Sequence, residues 1–128
     1  MKIEHVAIWV QNLEVLKEFY THYFGMECSN KYVNTDKEFS SYFLSFQTGA
    51  RLEIMHRPDI SMHLEQKGMT LGWTHLAISM GSQEKVDRLT ELLRYDGYVI
   101  KGEPRTTGDG YYESVVLDPE GNQVEITT

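Results

Sequence analysis

Apolar positions in this chain alternate, change to helical spacing, alternate again, and then repeat the whole cycle. In residues 2–10, Val6, Ile8 and Val10 fall on one side and His5, Ala7 and Trp9 on the other, the period of a half-buried strand. Asn12 is placed to cap a helix in which Leu16, Phe19, Tyr20 and Tyr23 recur until Gly25, a residue suited to the position just past a helix end. Three short strands are predicted next, over about 26–34, 40–48 and 51–57, the last two joined by a turn at Thr48-Gly49. The second cycle predicts a strand over 73–80, a cap at Ser82, and a buried helical stripe of Val86, Leu89 and Leu93 that ends at Gly97. Strands follow at about 98–101, 112–118 and 122–127, with a turn over Asp118-Pro-Glu-Gly121. The pattern predicts an α+β chain: two tandem βαβββ modules, about 1–57 and 72–128, within a single domain over 1–128. The linker, about 58–71, carries Met62, His63 and Met69 and shows no clear period.

The repeat also returns particular residues. Ile3-Glu-His5-Val-Ala-Ile-Trp-Val10 is answered by Trp73-Thr-His75-Leu-Ala-Ile-Ser-Met80, and Gly49-Ala-Arg-Leu-Glu53-Ile by Gly121-Asn-Gln-Val-Glu125-Ile. His5 and His75 stand 70 residues apart and Glu53 and Glu125 stand 72 apart, so both pairs keep the repeat register. Strand parity places all four opposite the apolar positions, which must pack under a helix. If the modules share a cleft, the four groups converge there. Two imidazoles and two carboxylates form an N/O donor set suited to a divalent first-row metal, and the lack of thiolates disfavours a closed structural zinc site. Such an ion polarises a carbonyl, stabilises an enediolate or binds a nucleophile.

Composition narrows the field. With 128 residues, 41% hydrophobic and 24% charged, the chain has an ordinary globular make-up and enough length for one core. A net charge of −7 argues against a nucleic-acid partner. The lone Cys28 allows no intrachain disulfide and no CxxC zinc knuckle, which points to a reducing compartment. The strand-like start predicts no leader segment, and no apolar run approaches the roughly 20 residues that span a bilayer. A cytoplasmic protein without a membrane partner is expected.

Other residues carry weaker signals. His22, His56 and His63 have no repeat partner: His22 is expected on the surface of the first helix, and His56 and His63 flank the linker on the cleft side. Cys28 is expected in the core, since no positioned base accompanies it. Trp9 lies two residues beyond Ala7 on the face of His5 and is expected to form a pocket wall. Tyr111, Tyr112 and the segment Arg105-Thr-Thr-Gly-Asp-Gly110 are expected to shape a substrate loop.

The duplicated His-x-Ala-Ile start, the ending Asp118-Pro-Glu-Gly-Asn-Gln-Val-Glu125 and the set His5, Glu53, His75 and Glu125 resemble the vicinal oxygen chelate superfamily over the whole chain. That superfamily includes glyoxalase I, thiol transferases, extradiol dioxygenases, an epimerase and bleomycin-resistance proteins. The resemblance implies an eight-stranded cupped mixed sheet, a homodimer, one divalent ion (Ni, Zn, Co, Mn or Fe) and a small-molecule substrate. It leaves open whether the ligands come from one chain or two. Glyoxalase I carries His, Glu, His, Glu at these positions, which implies a lyase or isomerase acting through a metal-stabilised enediolate, with Glu125 as ligand and general base and Glu53 beside it in the catalytic set. The alternatives are a ligand-sequestering resistance protein, a thiol transferase or a dioxygenase. Glyoxalase I commonly has Arg at the place of Trp9, where it meets a glutathione carboxylate. It also commonly has Asn a few residues after the second ligand, where this chain runs Ile-Met-His-Arg57. Both departures weigh against glutathione as co-substrate.

Overall fold

A computed structural model of the chain describes residues 1–61, 67–69 and 71–128, and it divides into two units, Met1–Met62 and His63–Thr128. The first unit runs β1 (His5–Trp9), α1 (Leu13–Phe24), β2 (Glu27–Cys28), β3 (Tyr32–Asn34), β4 (Phe39–Ser45) and β5 (Arg51–His56). Asn12 starts α1 by accepting from the amides of Glu14 and Val15 at 3.1 and 3.2 Å. Gly25 ends it at φ +66°, donating to the Thr21 carbonyl at 3.1 Å. The helix buries Leu13, Leu16, Phe19, Tyr20 and Phe24 on β4 and β5, where Tyr42, Leu44, Leu52 and Ile54 are buried in turn. Tyr23, expected in the buried stripe, is only half-buried, and Phe24 takes the place next to it.

The strands of this unit lie in the order β1-β5-β4-β2, with β3 also on β4. β1 and β5 are parallel, and the other pairings are antiparallel. The single strand predicted over 26–34 is two strands. Cys28 pairs with Leu44 and Tyr32 with Ser41, so Ser29, Asn30 and Lys31 face only Tyr42 and Phe43. This is a bulge, and the Ser29 hydroxyl closes it by accepting from the Phe43 amide at 3.0 Å, a role a backbone carbonyl would otherwise fill.

The second unit runs β6 (His75–Ser79), α2 (Gln83–Tyr95), β7 (Ile100–Thr106), β8 (Tyr112–Leu117) and β9 (Gln123–Thr127), in the sheet order β6-β9-β8-β7. Again the first and last strands are parallel neighbours. Ser82 caps α2 by accepting from the Lys85 amide. The end is a Schellman turn, in which Gly97 at φ +89° donates to Arg94 and Tyr98 donates to Leu93. Val86, Leu89, Thr90 and Leu93 are buried, as are Val116, Val124 and Ile126 of β8 and β9. β7 extends well past the predicted 98–101. Gly102 and Pro104 read as strand breakers, but β7 is the edge of its sheet, where a missing N–H and two register shifts are tolerated.

The α+β class and the tandem repeat hold, with two sheets of five and four strands. Among the described residues there are nine strands in place of eight, and the extra one comes from the bulge at Ser29. No helix among the described residues is long and apolar enough to cross a membrane.

Candidate metal and substrate site

The sheet register explains why each histidine meets a carboxylate. In the first unit Ala7 pairs with Glu53, which pairs on its other side with Phe43. In the second, Ala77 pairs with Glu125, which pairs with Val115. Each Glu therefore sits in the middle of three strands, with a small Ala beside it and a His two residues back on the parallel neighbour. The alanine leaves room for the imidazole to lean across. His5 Nε2 lies 3.8 Å from Glu53 Oε2, and His75 Nε2 lies 3.2 Å from Glu125 Oε2. The carboxylate side chains are 14% and 19% exposed and the imidazoles 41% and 38%, so each pair is half-sheltered and reachable from solvent.

Each pair presents an imidazole nitrogen and a carboxylate oxygen on one face, which fits a divalent first-row ion in donor type. No group of three or more His, Cys, Asp or Glu comes together among the described residues. Each unit by itself brings two such donors together.

The residues supporting the pairs differ. Glu4 Oε2 lies 2.5 Å from His5 Nδ1, and Glu4 Oε1 lies 2.5 Å from Arg51 Nη2. The hydrogen bond from His5, followed by that from Arg51, holds the Glu4 carboxyl below its ordinary pKa. Arg51 lies over the Phe43 ring at 4.0 Å, and Phe43 meets His5 edge-on at 5.4 Å. In the second unit the neighbour of His75 Nδ1 is the Thr74 hydroxyl, at 2.9 Å. Sequence reasoning missed Glu4, Arg51, Phe43 and Thr74. The available signal was that Glu4 and Thr74 occupy the same repeat position, one residue before each His.

Trp9 shares the face of His5 and Glu53, as expected. It meets Phe39 edge-on at 6.1 Å, Phe39 meets Tyr32 at 6.0 Å, and Arg57 lies over the indole at 5.9 Å. The Arg57 charge is answered by Asp59, whose hydrogen bonds raise the arginine pKa and lower that of the acid. His56 is not brought to this site: it lies on the helix side of β5 with Leu52 and Ile54, and its Nδ1–H donates to the Val10 carbonyl at 3.0 Å.

Arg105 is not in a loop. It belongs to β7, pairs with Glu113, and lies 3.5 Å from that carboxylate on the face that carries Glu125. A concavity of about 430 Å³ opens there, lined by Lys101, Gly102, Glu103, Arg105, Val115 and Gln123. The loop itself is shorter than expected, closed by the Thr107 amide donating to the Tyr111 carbonyl, with the Tyr111 side chain exposed. Tyr112 turns to α2 and donates to Asp87. His22 is exposed, and so is Cys28, contrary to the core position expected. Cys28 sits at the short β2, and partial desolvation pushes its thiol up, away from a nucleophile's range. His63 lies outside the described residues.

Comparison with known proteins agrees with this architecture. Residues 2–126 match the family model of the Glyoxalase/Bleomycin resistance protein/Dioxygenase superfamily, and the chain belongs to that superfamily. It is 29% identical over 126 residues to a lactoylglutathione lyase of Arabidopsis thaliana, covering 95% of this chain and 42% of that protein. Over 129 residues it is 26% identical to "Probable lactoylglutathione lyase" of Vibrio cholerae, covering 98% of this chain and 88% of the relative. The chain thus spans less than half of the plant relative. Among solved structures, glyoxalase I from Zea mays superposes with a TM-score of 0.80 at 23% identity, covering 98% of this chain and 44% of that one. A glyoxalase/bleomycin resistance/dioxygenase domain from Frankia reaches 0.83 at 16% identity, covering 99% and 90%. These structural likenesses define the fold.

Proposed function

We propose that the chain is a metal-dependent, glyoxalase I-like lyase or isomerase acting on a small oxygen-chelating carbonyl compound or thiol adduct. The supporting observation is that both units bring a His and a Glu together on equivalent strands in equivalent register. In this reading His5, Glu53, His75 and Glu125 hold one divalent ion, which when bound supplies a Lewis acid for the substrate carbonyl. Glu125 accepts the proton from the carbon next to that carbonyl and returns it to the adjacent carbon, and Glu53 is the second carboxylate of the catalytic set. Half-sheltered carboxylates suit this role, since bulk water competes less for the proton. Trp9 and Phe39 offer an aromatic wall at the far end of β1, and the nearby Arg57 is neutralised by Asp59. That corner favours an apolar substrate arm over the carboxylates of glutathione.

The test is metal analysis of the purified protein together with turnover of α-ketoaldehyde hemithioacetals made from several thiols. One divalent ion per chain or per site, lost in His5→Ala and in His75→Ala, is expected, with glutathione the poorer thiol. Absence of metal binding at micromolar concentration overturns the reading. It leaves a ligand-sequestering protein, which the aromatic corner would serve. Turnover with glutathione of about 10 s⁻¹ or more refutes the role given to Trp9. The chain is further proposed to form a homodimer, because β1 and β6 are edge strands of their sheets and edges call for cover. Sedimentation is the measurement, and a monomer at all concentrations refutes it.

A further inference from the structure

We propose that Glu4, gripped by Arg51, is a positioning residue that keeps the His5 proton on Nδ1 and so turns the Nε2 lone pair toward Glu53. A carboxylate only accepts hydrogen bonds, so the 2.5 Å approach of Glu4 Oε2 to His5 Nδ1 requires the proton to sit on that nitrogen. The other carboxylate oxygen is held by Arg51 at 2.5 Å, and the Arg51 amide donates to the Glu4 carbonyl at 3.0 Å. Arg51 is fixed in turn by its stacking on Phe43, which meets His5 edge-on. Glu4, Arg51, Phe43 and His5 thus form a closed ring of contacts. Arg51 keeps its place although its buried Nε finds no partner among the described residues, a cost offset by the ion pair and the stacking.

The consequence appears on the other side of the imidazole. In the neutral ring with its proton on Nδ1, Nε2 presents a lone pair to a carboxylate oxygen 3.8 Å away. Two acceptors facing each other are satisfied by a cation between them. The second unit lacks this constraint, since the Thr74 hydroxyl can donate to His75 Nδ1 or accept from it. The two half-sites are therefore unequal, with His5 pre-set as a donor and His75 free to adapt. That the cation is a catalytic metal rests on the proposed function; the tautomer does not.

The experiment uses the metal-free protein and two variants, Glu4→Ala and Glu4→Gln. Long-range proton–nitrogen spectra of the histidine rings above pH 8 report which nitrogen carries the proton, and calorimetry with Zn²⁺ reports affinity. In the wild type, His5 is expected to carry its proton on Nδ1. Glu4→Ala is expected to lose that preference and to weaken Zn²⁺ binding about 10- to 100-fold. The His75 ring signals should stay unchanged, which shows that the fold is intact. Glu4→Gln keeps a neutral acceptor, so it should hold the tautomer and lie nearer the wild type in affinity. A wild-type proton on Nε2, an unchanged tautomer in Glu4→Ala, or Gln as damaging as Ala overturns the proposal. The last of these would mean that Glu4 acts through its charge alone. A wild type with the expected tautomer that binds no Zn²⁺ instead overturns the proposed function and leaves the positioning intact.

Discussion

Asp118 offers the sharpest test of how the chain places Glu125. Its carboxylate is buried, with the residue 4% exposed, and it closes the turn between β8 and β9. Oδ1 accepts from the amides of Glu120 and Asn122 at 2.9 Å each, and Oδ2 accepts from Asn122 Nδ2 at 2.8 Å. The turn's own backbone bonds run from Asp118 to Asn122 and from Gly121 to Asp118, also at 2.9 Å. Asp118→Ala removes at least these three charge-assisted bonds. Bonds to charged groups contribute about 1.5–3 kcal/mol each, but Glu120 and Asn122 are half-buried and water replaces part of the loss. An overall cost of about 2–3 kcal/mol follows once that replacement is allowed for. Asp118→Asn keeps an oxygen for the two amides and sets one amide against another at Asn122, so it should cost about 1 kcal/mol. Urea unfolding followed by circular dichroism measures both variants. The turn also holds Leu117 opposite Gln123 and hence Val115 opposite Glu125. A slip of one residue would send Glu125 to the helix side. Zn²⁺ affinity should therefore fall with Asp118→Ala and largely survive Asp118→Asn. A cost below about 1 kcal/mol for Ala, or equal effects of Ala and Asn, would refute the reasoning.

Thr90→Val removes a hydroxyl that donates to the Val86 carbonyl at 2.7 Å and lies 2.6 Å from Ser114 Oγ, both residues being fully buried. It should cost about 1–3 kcal/mol by leaving Ser114 unpaired, and adding Ser114→Ala should recover part of that; strict additivity in urea titrations would count against the pairing. Glu14 is held at about 2 by Lys17 first, then Lys31 and Tyr42. Its folded-state pKa is depressed, so its stabilisation is complete above about 4.5 and is lost as pH falls toward about 2. The side chain is 51% exposed, so screening leaves about 1 kcal/mol, and Glu14→Gln should differ from the wild type by that amount at pH 7 and converge with it in acid; a constant gap would refute the assignment. Glu125→Gln should fold normally and lose about 10²- to 10⁴-fold in turnover, and full activity in a metal-loaded assay would exclude it as the base.

The parts legible in the sequence were those governed by strand and helix periods. Alternation alone puts Glu53 opposite Leu52 and Ile54, and Glu125 opposite Val124 and Ile126, and the burial of those four follows it. The same rule puts His56 on the helix side, and the expectation that it faces a cleft came from its nearness to the linker. Hydrogen bonds that replace backbone pairing were not legible. Nothing in Cys28-Ser-Asn-Lys31 announces that a serine hydroxyl will stand in for a carbonyl. Strand position within the sheet was equally hidden, and it decides whether Gly102 and Pro104 end β7 or are carried by an edge. Glu4 lies just before β1, where alternation gives no rule, so its reach to His5 and Arg51 emerges only from the pairing of β1 with β5.

The duplication is strict in the rows that carry the carboxylates and loose in what surrounds them. Ala7-Glu53 and Ala77-Glu125 occupy the same register, yet the third strand offers Phe43 in one unit and Val115 in the other. The first unit continues from Phe43 into an aromatic face with Trp9, Phe39 and Tyr32. The second continues from Val115 into a concavity with Lys101 and Arg105 at its wall. A ring face and a wall of charged groups (Lys101, Glu103 and the Glu113-paired Arg105) discriminate ligands by different physics, dispersion and quadrupole in one case and charge in the other. In the proposed reading, two copies of one donor pair keep a common chemistry while their surroundings meet different parts of the substrate. On that same reading, substitutions at Trp9 or Arg105 should then change which substrate is used before they change whether a metal is held.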